Sequence, residues 1–240
     1  MTKTFGKFGG FKAHASRAQN GIAVMFDLEG FSKFFNQPDV HEYIPVYLNK
    51  VIDAVETCFF GGELYWEVES KPLLPLHFLP IHRKFLGDGM LYVWSLAGVT
   101  DNSSATLVTL LCNRLWNLKN SFDALNRACS EAVPLLDLPP RIRFGVARGT
   151  IYELSVEKSS SKEYIGFCIN LASRLQAYCG RLGFIASARL SVKESDLAKN
   201  EYIKVVATKI KGFPKEIVIV DKDEYADIPP DVKKDLFGDI

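Results

Sequence analysis

The sequence predicts an α+β protein in which helices pack on a mixed, mostly antiparallel sheet. Three observations carry this. Short β-rich runs alternate along the chain with long amphipathic stretches. Gly87-Asp88-Gly89 sits between two such runs as a hairpin signal, and a hairpin excludes an all-parallel sheet. The residues of Val40 to Phe59 and of Ser103 to Cys129 recur at three- and four-residue spacing, as helices covering one side of a sheet require.

Taken in order, Gly21 to Phe26 is apolar at every position, the pattern of a strand buried on both faces, and Asp27 closes it. An acid delivered by a buried strand into a Gly-containing turn suits a cation ligand, and it equally suits a helix cap. Val40, Tyr43, Ile44, Tyr47, Leu48, Val51, Ile52, Val55 and Phe59 form one helical stripe that ends at Gly61-Gly62. Glu63 to Leu79, punctuated by Pro72 and Pro75, reads as irregular or edge material. Asp88 falls on the following hairpin tip, where turn geometry alone would also explain an aspartate.

A second helix is expected from Ser103 or Ser104 to about Cys129, with Asp101, Asn102 and Ser103 as possible caps. Arg141 to Val146 and Thr150 to Val156, separated by Gly149, read as a hairpin-like pair, and Lys158 to Lys162 as a polar loop. Glu163 to Gly180 suits a helix on which Asn170 and Arg174, four apart, share a face; a solvated stripe and a functional pair both fit. Strands at Gly183 to Ser187, Ile203 to Ala207 and Ile217 to Val220, with a small helix near Ala188 to Ser195, complete the pattern.

The composition narrows the function classes. A net charge of +1 carries no basic footprint for nucleic acid, and no apolar run reaches membrane-span length. Five cysteines without a CxxC pair, and four histidines without HExxH spacing, give neither a disulfide framework nor a zinc site. A reducing, cytoplasmic setting fits that usage. Residues 1–20 read as a flexible basic arm, 21–220 as one domain and 221–240 as a charged, loosely held tail.

Three motifs then line up: FDLEGFS at Phe26 to Ser32, KFLGDG at Lys84 to Gly89 and YIGFCINLASRL at Tyr164 to Leu175. Together they resemble the class III nucleotide cyclase catalytic domain, the adenylate and guanylate cyclase homology fold. RFGVARGTI at Arg143 to Ile151 and KIKGF at Lys209 to Phe213 extend the resemblance over roughly Gly21 to Val220. It implies a ferredoxin-like α+β domain working as a head-to-tail homodimer with active sites shared between subunits. By the same resemblance Asp27 and Asp88, with the carbonyl of Leu28, hold two divalent cations, Mn2+ or Mg2+. Asn170 and Arg174 of the facing subunit orient the ribose and stabilise the phosphates. Lys211, or failing it Lys209, binds the triphosphate, and Phe31 of the first motif lies against substrate.

For the base, the family reads purines with a lysine before the GD motif and a polar residue before the third motif. Lys84 matches the first position, and Glu163 or Lys162 the second, a longer charged side chain than the usual Asp or Thr. Bulky Phe167 and Cys168 follow Gly166 where small polar residues are common. A short chain of this kind resembles the bacterial pyrimidine cyclases of Pycsar antiphage systems, which signal to a separate cyclic-nucleotide-responsive effector. That implies UTP as favoured substrate and cyclic UMP as product. Cyclic CMP formation, adenylate cyclase activity and a non-catalytic nucleotide-binding domain are the alternatives.

Overall fold

An 11-residue strand, β2 (Gln19–Glu29), runs through the middle of the protein, and the buried stretch from Gly21 to Phe26 lies inside it. Its alternate residues feed two different cores. Ile22, Val24, Phe26 and Leu28 point one way and Ala23 and Met25 the other, as the period of two in a strand demands. The computed structural model describes residues 14–133, 137–155, 162–192, 197, 201–213 and 215–238.

Around β2 the chain runs β1 (His14–Ala15), β2, α1 (Phe31–Phe35), α2 (Val40–Phe60), β3 (His82–Phe85), β4 (Gly89–Ser95), α3 (Asp101–Asn120) and α4 (Phe122–Ser130). It continues through β5 (Arg141–Ser155), β6 (Lys162–Gly166), α5 (Phe167–Gln176), β7 (Phe184–Ser187) and a 3-10 turn at Ala188–Leu190. The last elements are β8 (Tyr202–Ala207), β9 (Glu216–Asp221), α6 (Lys222–Ala226), α7 (Pro230–Leu236) and β10 (Phe237–Gly238). The strands form one sheet in the order β10-β8-β9-β7-β5-β2-β4-β3, with β1 and β6 attached to β5. The β5–β7 pairing is parallel and the other pairings are antiparallel, so the sheet is mixed and mostly antiparallel as expected.

The first core lies between the sheet and α2, α3 and α4, and is dense in aromatic rings. Phe59 meets Trp94 and Tyr92 edge-on at centroid distances of 5.1 and 4.8 Å. The second core lies under α5, whose Cys168, Leu171, Ala172 and Leu175 pack on Ala23, Met25, Leu91, Val93 and Ala147. Gly145 permits that contact: a Cβ there would overlap the Ala172 carbonyl and come within 2.6 Å of the Gln176 nitrogen.

Several elements differ from the sequence reading. Residues 141 to 155 form one continuous strand, not a hairpin, because the Phe167 ring lies against Gly149 and the glycine marks a packing contact. The hairpin is instead between β5 and β6, so Glu163 to Gly166 are strand and the helix begins only at Phe167. The helix expected to Cys129 is two helices broken at Ser121, whose hydroxyl donates to Glu67, and its cap is Thr100, one residue before those proposed. Of the small helix expected near Ala188 to Ser195, a 3-10 turn covers Ala188–Leu190, and residues 193–195 lie outside the described residues.

The two chain ends are also more structured than a loose arm and tail. His14–Ala15 pairs with β5 and β2 begins at Gln19, since the long β5 leaves backbone groups that need partners. At the other end Ile228 and Phe237 bury into the second core and β10 pairs with β8. Residues 1–13 and the 158–161 part of the polar loop lie outside the described residues.

Candidate active site

Past Met25 on the α5 side of β2 comes Asp27. Its register neighbours are Gly89 on β4 and Arg143 on β5. Arg143 donates from Nη2 to Asp27 Oδ2 in an ion pair whose side chains are only 21% and 19% exposed. Asp88 precedes Gly89 at the hairpin tip, which brings the second acid beside the first. Burial and the neighbouring Asp27 carboxylate push the Asp88 carboxyl pKa up, and Arg143 pulls against them. Two half-buried carboxylates with hard oxygen donors suit a cation such as Mg2+ or Mn2+. Leu28 is buried on the opposite face, so its backbone carbonyl is the only group it can offer. Among the described residues no group of three or more His, Cys, Asp or Glu side chains is placed to hold a metal ion.

A second polar group sits on the same face, at the sheet edge. β3 places His82 and Lys84 beside Val93 and Leu91, and the β5–β6 hairpin brings Glu163 to them. Lys84 Nζ donates to Glu163 Oε2 at 2.8 Å. His82 Nε2 lies 4.0 Å from the same oxygen, buried and without a hydrogen-bond partner, and its ring packs on Tyr164 at 5.1 Å. Burial pushes the His82 pKa down, against Glu163 and together with Lys84. Among the described residues the buried polar atoms without partners include Glu29 Oε2, Arg141 Nη2, Arg143 Nε and His82 Nε2. These four belong to the two clusters or the next step of the β2–β5 ladder, while Trp66 Nε1, Ser104 Oγ and Gln176 Oε1 are the others among the described residues.

Asn170 and Arg174 lie on the exposed side of α5, opposite the residues that bury against the sheet. The helix therefore turns both away from Asp27 and Asp88 of its own chain. Lys211 is exposed in a turn with no ion pair among the described residues, whereas Lys209 is tied to Asp235. Tyr178 fixes the start of that segment: its hydroxyl accepts from the Thr208 and Lys209 N–H groups, each at 3.1 Å, and donates to the Leu236 carbonyl. Phe31 opens α1 against Phe34 and Phe35. Lys162 pairs with Glu153, which leaves Glu163 as the residue facing Lys84. Arg143, His82 and Tyr178 were not among the expected site residues. Only the strand pairing reveals Arg143, because it lies 116 residues from Asp27 in sequence.

No protein-family description and no curated protein matches the sequence. Solved structures do match. An adenylyl cyclase, CyaB from P. aeruginosa, superposes with a TM-score of 0.59 at 15% identity, over 85% of this chain and 94% of that one. The fold is that of a class III nucleotide cyclase domain. The guanylyl cyclase Cya2 gives 0.56 at 17% identity over 87% and 93% of the two chains. The catalytic core of a rhodopsin-guanylyl cyclase gives 0.52 at 15% identity over 87% and 98%. On this fold Asp27 and Lys84 share the face of the central sheet on which α5 packs.

Proposed function

We propose that the protein is a nucleotide cyclase that converts a nucleoside triphosphate, UTP in preference, to the 3′,5′-cyclic monophosphate and pyrophosphate at sites shared between two copies. The observation that carries this reading is the division of the polar groups within one chain. Asp27 and Asp88 lie on the sheet, while Asn170 and Arg174 project outward from α5. A second copy placed head-to-tail brings the outer face of its α5 over the acid pair of the first. Phe85, Leu86 and Ile165, apolar, exposed and close in sequence to the Lys84 and Asp88 hairpin and to Glu163, supply surface for such an interface.

In the reaction the ribose 3′-oxygen bonds to the α-phosphorus as the bond from that phosphorus to the bridging oxygen of pyrophosphate breaks. The hydroxyl proton passes to water. Asp27, Asp88 and the Leu28 carbonyl would hold two Mg2+ or Mn2+ ions, which supply charge neutralisation and acidify the hydroxyl. Arg174 offers a planar fork of donors to the phosphoryl oxygens, where negative charge develops. Asn170 hydrogen-bonds the ribose and Lys211 draws the terminal phosphates. Both orient the chain of reacting atoms, and orientation alone accounts for a large share of such barriers.

Lys84 and Glu163 present one donor and one acceptor to the base edge. Any base can meet that pair, but a glutamate in place of a shorter acid narrows the space and favours the smaller pyrimidine ring. Adenylate cyclase activity is the second reading, carried by Lys84. By likeness to the pyrimidine cyclases of antiphage systems, the product would act on a separate effector. None of the described helices is long and apolar enough to cross a membrane.

The test is a four-way assay of the purified chain with Mn2+ and ATP, GTP, CTP or UTP, following cyclic product and pyrophosphate. One dominant cyclic product from UTP is expected. A dominant product from ATP would remove the pyrimidine assignment, and no product from any of the four would remove the cyclase reading.

A further inference from the structure

The acid pair already has a cation of its own. Arg143 stands directly opposite Asp27 on the neighbouring strand, its guanidinium bound to Oδ2, with about four-fifths of each side chain out of solvent. Its Nε is buried and has no partner. Two residues further along the same ladder Glu29 and Arg141 face one another at 3.6 Å, and Arg141 Nη2 is likewise buried without a hydrogen-bond partner.

We propose that Arg143 is a positioning residue that holds Asp27 in the nucleotide-free chain and competes with the divalent cation for that carboxylate, so that the cation binds together with the triphosphate and not ahead of it. This rests on the cyclase reading. A cation that takes Asp27 from Arg143 leaves a largely buried guanidinium without its counter-charge, and an unpaired buried charge is strongly unfavourable. The phosphoryl oxygens of the substrate are the acceptors that relieve it, because a guanidinium fork fits them as well as it fits a carboxylate. Cation and nucleotide therefore favour one another's binding through Arg143. By linkage the coupling is the same in both directions, and couplings of this kind span about 5- to 150-fold.

The experiment measures Mn2+ binding to the full chain by the electron paramagnetic resonance signal of free Mn2+. It is run alone and with α,β-methylene UTP or α,β-methylene ATP, none of which can be cyclised, after subtracting the Mn2+ held by nucleotide alone. The wild-type chain is expected to bind Mn2+ at least about tenfold tighter when the analogue is present. In Arg143→Gln, binding without nucleotide should tighten by about tenfold and the nucleotide effect should shrink toward none. Arg143→Lys, which keeps the charge, should stay close to wild type in Mn2+ affinity. Unchanged or weaker Mn2+ binding in Arg143→Gln would overturn the proposal, as would a wild-type affinity indifferent to the analogues, a comparison that needs no variant. A chain that makes cyclic product yet shows either of these results refutes the Arg143 role alone. A chain that neither binds Mn2+ in any condition nor makes product refutes the cyclase reading and the proposal with it.

Discussion

Gly145→Ala tests how the fold places Asn170 and Arg174, the catalytic groups proposed for α5. The added Cβ would overlap the Ala172 carbonyl and stand 2.6 Å from the Gln176 nitrogen, where ordinary contact begins at 3.4 Å. Both are backbone atoms of α5 or its end, so no side chain can swing aside, and the helix must lift from the sheet by roughly 1 Å. Overpacking of this kind is destabilising by about 1–3 kcal/mol. For a chain of 240 residues each kcal/mol lowers the melting temperature by about 2–4 °C. The same lift displaces Asn170 and Arg174, and a misplacement of about 1 Å costs on the order of 100-fold in rate. Thermal melting and single-turnover cyclisation should therefore both change, with rate falling far more than the lost stability implies, while Mn2+ binding at the sheet is retained. A variant that melts lower but cyclises at the wild-type rate would refute the claim that α5 seated on Gly145 sets the geometry.

Other outcomes follow from the same contacts. Asp221→Asn should destabilise the fold by about 1.5–3 kcal/mol at neutral pH, because Lys119 and Asp221 are each only 7% exposed and paired at 2.7 Å, with Glu224 at 3.2 Å left as the remaining counter-charge for Lys119. Burial works against the Asp221 carboxylate, but bonds from Lys119, the Glu224 N–H and Trp116 outweigh it and hold its pKa below the ordinary value. Its stabilisation is therefore present above about pH 4 and lost as the pH falls through the lowered value, so urea melts of wild type and variant should converge in acid. Tyr178→Phe should raise KM for the triphosphate several-fold with a smaller effect on kcat, since the Thr208 and Lys209 N–H groups lose their acceptor just ahead of Lys211. Steady-state kinetics with the preferred triphosphate checks it, and an unchanged KM would remove Lys211 from the binding surface.

Much of the frame could be read from local pattern, because strand period and turn chemistry are local properties. The apolar run into Asp27 announced a strand and the Asp-Gly tip at Asp88 a hairpin, and the sheet pairs Asp27 with Gly89; the strand does not close at Asp27, however, but runs on to Glu29 because β5 continues beside it. What escaped the sequence was non-local. Gly149 looks like a turn residue until Phe167 is seen to occupy the space of its missing side chain. Glu163 to Gly166 carry helix-compatible residues but pair with β5, since tertiary contacts override weak propensity. The Asp27–Arg143 pair and the His82–Glu163 approach depend on sheet order and on a hairpin reaching the sheet edge, neither of which periodicity encodes. The tail was misjudged from its charge: its few apolar residues, Ile228 and Phe237, are the ones that bury.

In the proposed cyclase each active site is built from two chains. Asp27→Ala removes the sheet side of the site and Arg174→Ala the α5 side, so each homodimer should be inactive. Mixed dimers, formed by unfolding and refolding the two variants together and verified by mass with distinct tags, retain one intact composite site. Cyclic product should then reappear at up to about half the wild-type activity per mixed dimer, one site of two. Mixed dimers that form yet stay as inactive as either parent would contradict the shared site.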